Sequence, residues 1–529
     1  MNSCKMYFPG LNALCSRMTP LPLLPMHRFA LFFTCLRRLK RVSACLLALM
    51  LSALAFGPAF AGGGSGGSAG SVAGEILVKL RTQAALPALL SPPYSLVKLS
   101  QFGLRPIYRM QVPSGTTVDA ASQALLAGNA DVLLAEPNYV HQSPEARRNQ
   151  IWAVGSPSAY TAQWAPQAIH LANAQRFATG VGVRVAVLDT GVDLTHPALA
   201  GKLLPGKDFV DGDNDPSEGG TTANLGFGHG THVAGLIALA APGAKIMPLR
   251  ILDPDGVGNV WALSEALLYA IDPDGNPATD DGVHVINLSL GTLNRTRVLS
   301  TIAKIANCEA DDATDPTTDF SDSGYDDDKA RCGNFKGVVI VAAAGNSGTD
   351  SVKEYPAAEG VHGLISVGAS NEAQNLAIFS NRGSWVNVVA PGEGITSTFP
   401  ITGTSPSGYA TWSGTSMAAP LVAGTVALLR GNEPTLKPVD VVDRILRSAT
   451  PLIGTNLRQI DAAAIAEPCR LDIVGDGKTL ATTDGLILNR VLMGMTGTAV
   501  SSAAAPGAPR NTWDAIRAYL NGSCAMNLP

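Results

Sequence analysis

Three short motifs carry residue types able to do nucleophilic chemistry. Val185-Ala186-Val187-Leu188-Asp189-Thr190-Gly191 delivers a carboxylate at the end of an apolar run and turns at glycine. His229-Gly230-Thr231-His232-Val233-Ala234-Gly235 opens a helix on a histidine. Gly414-Thr415-Ser416-Met417-Ala418-Ala419-Pro420 opens another on a serine, with proline tolerated in its first turns. A carboxylate, an imidazole and a hydroxyl together make an acyl-transfer site. The first orients the second, the second takes the proton of the third, and the alkoxide attacks a carbonyl carbon. A serine at a helix N-terminus also places amides and the positive dipole end where the resulting oxyanion forms.

Each motif has a competing reading. Aspartic proteases also use Asp-Thr-Gly, but they need a second such carboxylate, and no second Asp-Thr-Gly occurs in the chain. His229 and His232 could hold zinc, yet the glutamate of an H-E-x-x-H site is missing, and His232 is expected to be structural. Ser416 alone could be a helix N-cap. In the order Asp, His, Ser and with these flanks, the motifs resemble the subtilisin-like serine protease family over roughly Trp164 to Ile465.

That resemblance implies a catalytic triad of Asp189, His229 and Ser416 acting on polypeptides, with no cofactor required for catalysis. In Val338 to Asn346 (VVIVAAAGN) it implies that Asn346 is a side-chain oxyanion donor, with Ala343 and Gly345 at the substrate. Ser289-Leu290-Gly291 and the stretch containing Gly256 and Gly258 are similar to the two strands that flank an extended peptide. Glu354, just before Tyr355-Pro356-Ala357, falls near the floor of the pocket for the P1 side chain. A carboxylate there would favour Lys or Arg at P1, whereas one on the rim would face solvent. Ala135-Glu136-Pro137-Asn138-Tyr139-Val140 is similar to the inhibitory propeptide of the same family, an intramolecular inhibitor. Its removal is expected between about His141 and Trp164, with Arg147-Arg148 as one candidate.

The elements that position these residues follow from patterning. The continuous apolar runs Val183 to Leu188, Val283 to Leu288, Val338 to Ala343 and Leu364 to Val367 fit strands buried on both faces, alternating with helices at His229 to Leu239, Leu263 to Ile271 and Ser416 to Arg430. The expected fold is α/β, a doubly wound parallel sheet over residues 149–466. A small α/β unit at 75–148 precedes it, with strands Glu75 to Leu80 and Val132 to Val140 around a helix Val118 to Ala127. A small helical, dockerin-like module at 467–529 follows it. With 529 residues and 46% hydrophobic content the chain has material for several units. Only 15% of residues are charged and no basic stripe occurs, so nucleic-acid binding has no electrostatic support.

Residues 1–61 read as a signal peptide. Arg37, Arg38, Lys40 and Arg41 precede the apolar run Ala44 to Phe56, Gly57-Pro58 breaks it, and Ala59-Phe60-Ala61 suits cleavage. The product is expected to be secreted, free of the membrane and monomeric. Loss of seven basic and no acidic residues takes the formal charge from -4 to -11. A Gly/Ser linker is expected at 62–74. Of the cysteines left, Cys308 with Cys332 and Cys469 with Cys524 make the simplest of three disulfide pairings, with four free thiols as the alternative. The aspartate-rich segment between Cys308 and Cys332 (Asp311, Asp312, Asp315, Asp319, Asp322, Asp326, Asp327, Asp328) is expected to be a solvated loop, calcium binding being the alternative. Structural calcium also has candidates in Asp211, Asp213 and Asp215, and in Asp472, Asp476 and Asp484, where Val474 replaces a ligand oxygen.

Overall fold

The computed structural model describes residues 70–309, 315, 319–466, 471–524, 526, 528 and 529. The expected signal segment 1–61, most of the linker, Asp311, Asp312 and Cys469 lie outside them. Arg184–Asp189, Val285–Leu288, Val339–Ala343 and Leu364–Ser370 pair in parallel at the middle of a nine-stranded sheet. Lys245–Arg250 extends it on one side and Val388–Pro391 on the other. Successive residues of a strand feed opposite cores. Val185 and Val187 join the helices His229–Ala240 and Thr415–Asn432, whereas Ala186 and Leu188 join Val260–Ile271 and Arg297–Asn307. Helices on both faces are what such strands require, and the fold is the doubly wound α/β architecture that the patterning predicts.

Lys245–Arg250 escapes a sequence reading because Pro248 argues against a central strand. It fits because the outer neighbour Lys207–Asp208 pairs only with Leu249 and Arg250, which leaves Pro248 no ladder partner to disappoint on that side. The chain order reverses between Arg184–Asp189 and Val285–Leu288. Ligands of open α/β sheets bind in the crevice beyond the carboxyl ends of strands at such a point, and here Asp189 and Ser289 stand at those ends.

The N-terminal unit is an antiparallel sheet in the order Val97–Gln101, Ile107–Gln111, Ser71–Leu80, Val132–Gln142, continued by Val257–Asn259 from later in the chain. Its helix Val118–Gly128 starts at Thr117, whose hydroxyl accepts from the Ala120 amide at 3.2 Å. The expected linker boundary at 74 is corrected, since the first strand begins at Ser71, which pairs with Tyr139. Gly74, at φ +70°, lies where the register shifts, so the small residues that read as linker make a bulge within the strand. The described part of the aspartate-rich segment is also not a free loop. It forms a turn at Ser323–Tyr325 and the helix Asp326–Asn334, joined to the preceding helix by the Cys308–Cys332 disulfide and packed against the N-terminal unit.

Towards the C-terminus, helices Asp484–Leu492, Thr498–Ser501 and Trp513–Cys524 enclose their own core of Ile473, Val474, Ile487 and Leu520. Cys524 is disulfide-bonded. Among the described residues no helix is long and apolar enough to cross a membrane.

Candidate active site

Asp189 ends its strand, and His229 and Ser416 lie at or beside the first residues of their helices, so three elements aim three side chains into one crevice. All three are fully buried. His229 Nδ1 is 2.7 Å from Asp189 Oδ1, an oxygen that also accepts from the Thr190 amide at 2.8 Å. The two motifs meet because Gly230 follows the histidine. A Cβ there would sit 2.1 Å from the Gly191 carbonyl oxygen. Between His229 and Ser416 stands a residue that motif reading missed. Glu145 Oε2 is 3.1 Å from His229 Nε2 and accepts from Ser416 Oγ at 2.6 Å, while its Oε1 accepts from Asn346 Nδ2 at 2.8 Å. Asn346 is held for this by Thr415, whose amide and hydroxyl both donate to Asn346 Oδ1 at 2.9 Å.

Glu145 arrives through an extended segment. Val140 to Gln142 run antiparallel to Val257–Asn259, and Gln142 exchanges two backbone hydrogen bonds with Gly291 at 3.0 and 3.1 Å. Ser143 N then donates to Gly256 O at 3.0 Å, and the short helix Pro144–Arg147 turns into the crevice. Gly258 is covered by His141, whose ring a Cβ would approach to 2.5 Å. Ser289 O accepts from Ser416 Oγ at 3.2 Å, whereas Leu290 and Ala343 are core residues. Glu354 is 1% exposed, with its carboxylate between Gly291 and Gly345, where added Cβ atoms would meet it at 2.8 and 2.3 Å. Arg147 reaches this floor, its Nη1 lying 3.0 Å from Glu354 Oε2. Arg148 donates to the Asn346 carbonyl.

The charges are coupled. Burial lowers the affinity of His229 for a proton, but the charge and hydrogen bond of Asp189, then Glu145, outweigh it and hold the imidazole well above its ordinary range. Burial pushes the Glu145 carboxyl up, yet the hydrogen bond and charge of His229, with Ser416 and Asn346, bring it below the ordinary carboxylate value. For Glu354 burial prevails over Arg147 and the carboxyl is raised. His232 is lowered to about 3, chiefly by burial, and its Nε2 faces the carbonyls of Ile395 and Ala410 rather than any crevice.

Glu218 was also missed. It accepts from Thr190 Oγ1, from Gly228 N at 3.0 Å and from Thr231 Oγ1 at 2.6 Å, linking the aspartate and histidine motifs. Burial, with the Asp189 charge adding to it, raises its carboxyl to about 7. Asp322-Ser323-Gly324 matches the looser Asp-Thr/Ser-Gly pattern, which motif reading passed over. Its carboxylate bonds the Gln83 and Gly324 amides, so it is no partner for Asp189.

Among the described residues neither set of calcium candidates brings three ligand oxygens within 4.8 Å of one another. Asp472, Asp476 and Asp484 spend their oxygens on the amides of Gly475, Asp476, Gly477, Lys478, Val474 and Leu480, and Val474 is a core residue rather than a ligand. Asp211 pairs with Arg250, while Asp213 and Asp215 cap nearby amides.

Residues 180–464 match the model of the subtilase family, Peptidase_S8. Over 374 residues the chain is 36% identical to a thermophilic serine proteinase of Bacillus sp. (strain AK1), covering 66% of this chain and 79% of that one. It is 37% identical over 277 residues to thermitase of Thermoactinomyces vulgaris, covering 50% of this chain and 81% of the relative. Among solved structures it is similar to fervidolysin from Fervidobacterium pennivorans, a keratinolytic enzyme related to subtilisin. The TM-score is 0.57 at 25% identity, covering 76% of this chain and 62% of that one.

Proposed function

The chain belongs to the subtilase family and is a serine endopeptidase, and from that premise we propose that it is a secreted, self-processing enzyme whose precursor is latent. The observation that carries this reading is the convergence of His229, Ser416 and Asn346 on the Glu145 carboxylate, with Asp189 on the far nitrogen of the same imidazole. In the reaction Asp189 holds the proton of His229 on Nδ1, leaving Nε2 to take the proton of Ser416. The alkoxide attacks the peptide carbonyl, and the oxyanion receives Asn346 Nδ2 together with amides at the start of the serine helix. His229 returns its proton to the leaving amine, and water hydrolyses the acyl-enzyme.

Residues 75–148 act as the inhibitory propeptide. Their last strand lies where an extended substrate would add to Val257–Asn259 and Gly291. Glu145 holds the oxyanion site and Arg147 holds the floor at Glu354, so the propeptide fills the crevice with a carboxylate against Ser416. Glu354 selects Lys or Arg at P1, and the Arg147–Arg148 bond is the maturation site once Glu145 withdraws. The test is expression of the wild-type chain beside Ser416→Ala, with precursor mass and casein hydrolysis followed. Wild type should shorten and cleave casein while Ser416→Ala does neither. Identical maturation of both without added protease, with no casein cleavage, would overturn the reading.

A further inference from the structure

We propose that the disulfide-tied aspartate-rich insert is a clamp for the basic face of the propeptide, resting on the reading of residues 75–148 as the inhibitor. Three cations of the N-terminal unit end on it. Arg105 makes a two-pronged bond to Asp328, Nε to Oδ2 at 2.8 Å and Nη2 to Oδ1 at 2.6 Å, with side chains only 17% and 10% exposed. Arg81 pairs with Asp319 at 2.9 Å. Lys79 is fully buried, its Nζ 4.5 Å above the Phe320 ring and 5.2 Å from that of Tyr325.

The backbones also meet. A Cβ on Gly324 would lie 2.1 Å from the Leu104 carbonyl oxygen, so only glycine lets the insert come this close. The insert can act as one jaw because the Cys308–Cys332 disulfide and the bond from Arg331 Nη2 to Ile305 O at 2.9 Å fasten the helix Asp326–Asn334 to the sheet-packed helix before it. A bidentate, largely desolvated pair of this kind governs dissociation more than association. The clamp therefore sets how long the propeptide stays after cleavage, and so the lag before activity. None of these residues touches the catalytic crevice.

The experiment uses the full precursor and follows the lag before hydrolysis of a soluble peptide, with the mass of the precursor and the final kcat/KM. Arg105→Asp and Asp328→Arg should each shorten the lag by about tenfold or more, and the double exchange should restore most of it. Gly324→Ala, which adds one methyl group, should shorten it too and decides the matter if Asp328→Arg does not accumulate. Final kcat/KM should stay within about twofold in every variant, since the clamp acts only on release. Unchanged lags in all variants beside a latent wild type would overturn the clamp alone. A wild-type precursor that cleaves the peptide at full rate from the start would overturn the latency reading, and the clamp with it.

Discussion

Replacing Glu145 by glutamine or alanine in the full precursor should abolish most of its latency. The carboxylate is fully buried and receives Ser416 at 2.6 Å, Asn346 at 2.8 Å and His229 at 3.1 Å. Hydrogen bonds to a charged group are each worth about 1.5–3 kcal/mol, but burying the carboxylate cancels much of their sum. Removing one partner of a buried ion pair costs about 3–5 kcal/mol, so Glu145→Ala should shift the balance between occupied and open crevice by roughly 10²–10³ or more. Glutamine keeps the shape and loses the charge, and should give a smaller shift in the same direction. The pH dependence has two limbs, taken relative to the released state. Because the Glu145 carboxyl is held below its ordinary value, its contribution to latency is complete above that ordinary value and is lost as pH falls through the lower, bound one. Against burial, Asp189 and then Glu145 raise His229 to about 10; Asp189 stays with His229 after release, so only the Glu145 share belongs to latency, present in full below the ordinary histidine value and lost as pH rises towards about 10. Wild-type precursor should thus activate slowest between the ordinary glutamate and histidine values, about pH 4.5 to 6.5, and faster on both sides. The assay is the activation lag across pH, read by peptide hydrolysis and by mass. A lag in Glu145→Ala equal to that of wild type, with the same pH profile, would refute the reasoning.

Asn346→Ala should lower kcat by about 10²–10³ with little change in KM, a magnitude established on subtilisin itself; an unaltered kcat in steady-state assays would remove Asn346 from the oxyanion site. Glu354→Gln should cost about 2 kcal/mol or more in kcat/KM for peptides with P1 Arg or Lys and little for P1 Leu. Equal wild-type cleavage of P1 Lys and P1 Leu peptides would count against a basic pocket. Glu218→Gln should flatten the stability profile. A carboxyl raised to about 7 binds more protons folded than unfolded, so its contribution declines as pH climbs from its ordinary value through 7, and Tm measured from pH 4 to 8 should lose that decline in the variant. Asp484→Ala, which frees the Val474 and Leu480 amides, should lower the stability of the C-terminal helices by about 1–3 kcal/mol without altering peptide cleavage, and a chelator should leave those helices unchanged by circular dichroism.

What the sequence makes legible here is what is carried by short stretches of chain. Asp189, His229 and Ser416 are found because each sits where a strand ends or a helix begins, and those boundaries are written in the neighbouring glycines and the apolar runs. Strand Lys245–Arg250 is not found, since its pairing overrides a proline that local rules count against it. Glu145 carries no motif at all. It stands 84 residues from His229 and 271 from Ser416, and nothing near it marks it as more than a surface acid in a short helix. The same holds for Glu218, whose partners Thr190 and Thr231 come from two motifs, and for the aspartates of the insert, which read as solvated until Arg105 and Arg81 are set against them. One signal was available. The strand Val132–Gln142 ends three residues before Glu145, so a strand that resembles an inhibitory segment points to the residues that follow it as candidates for the crevice. The proposed triad is therefore declared locally, whereas the residues proposed to restrain it are declared only by the fold, because their contacts come from elsewhere in the chain.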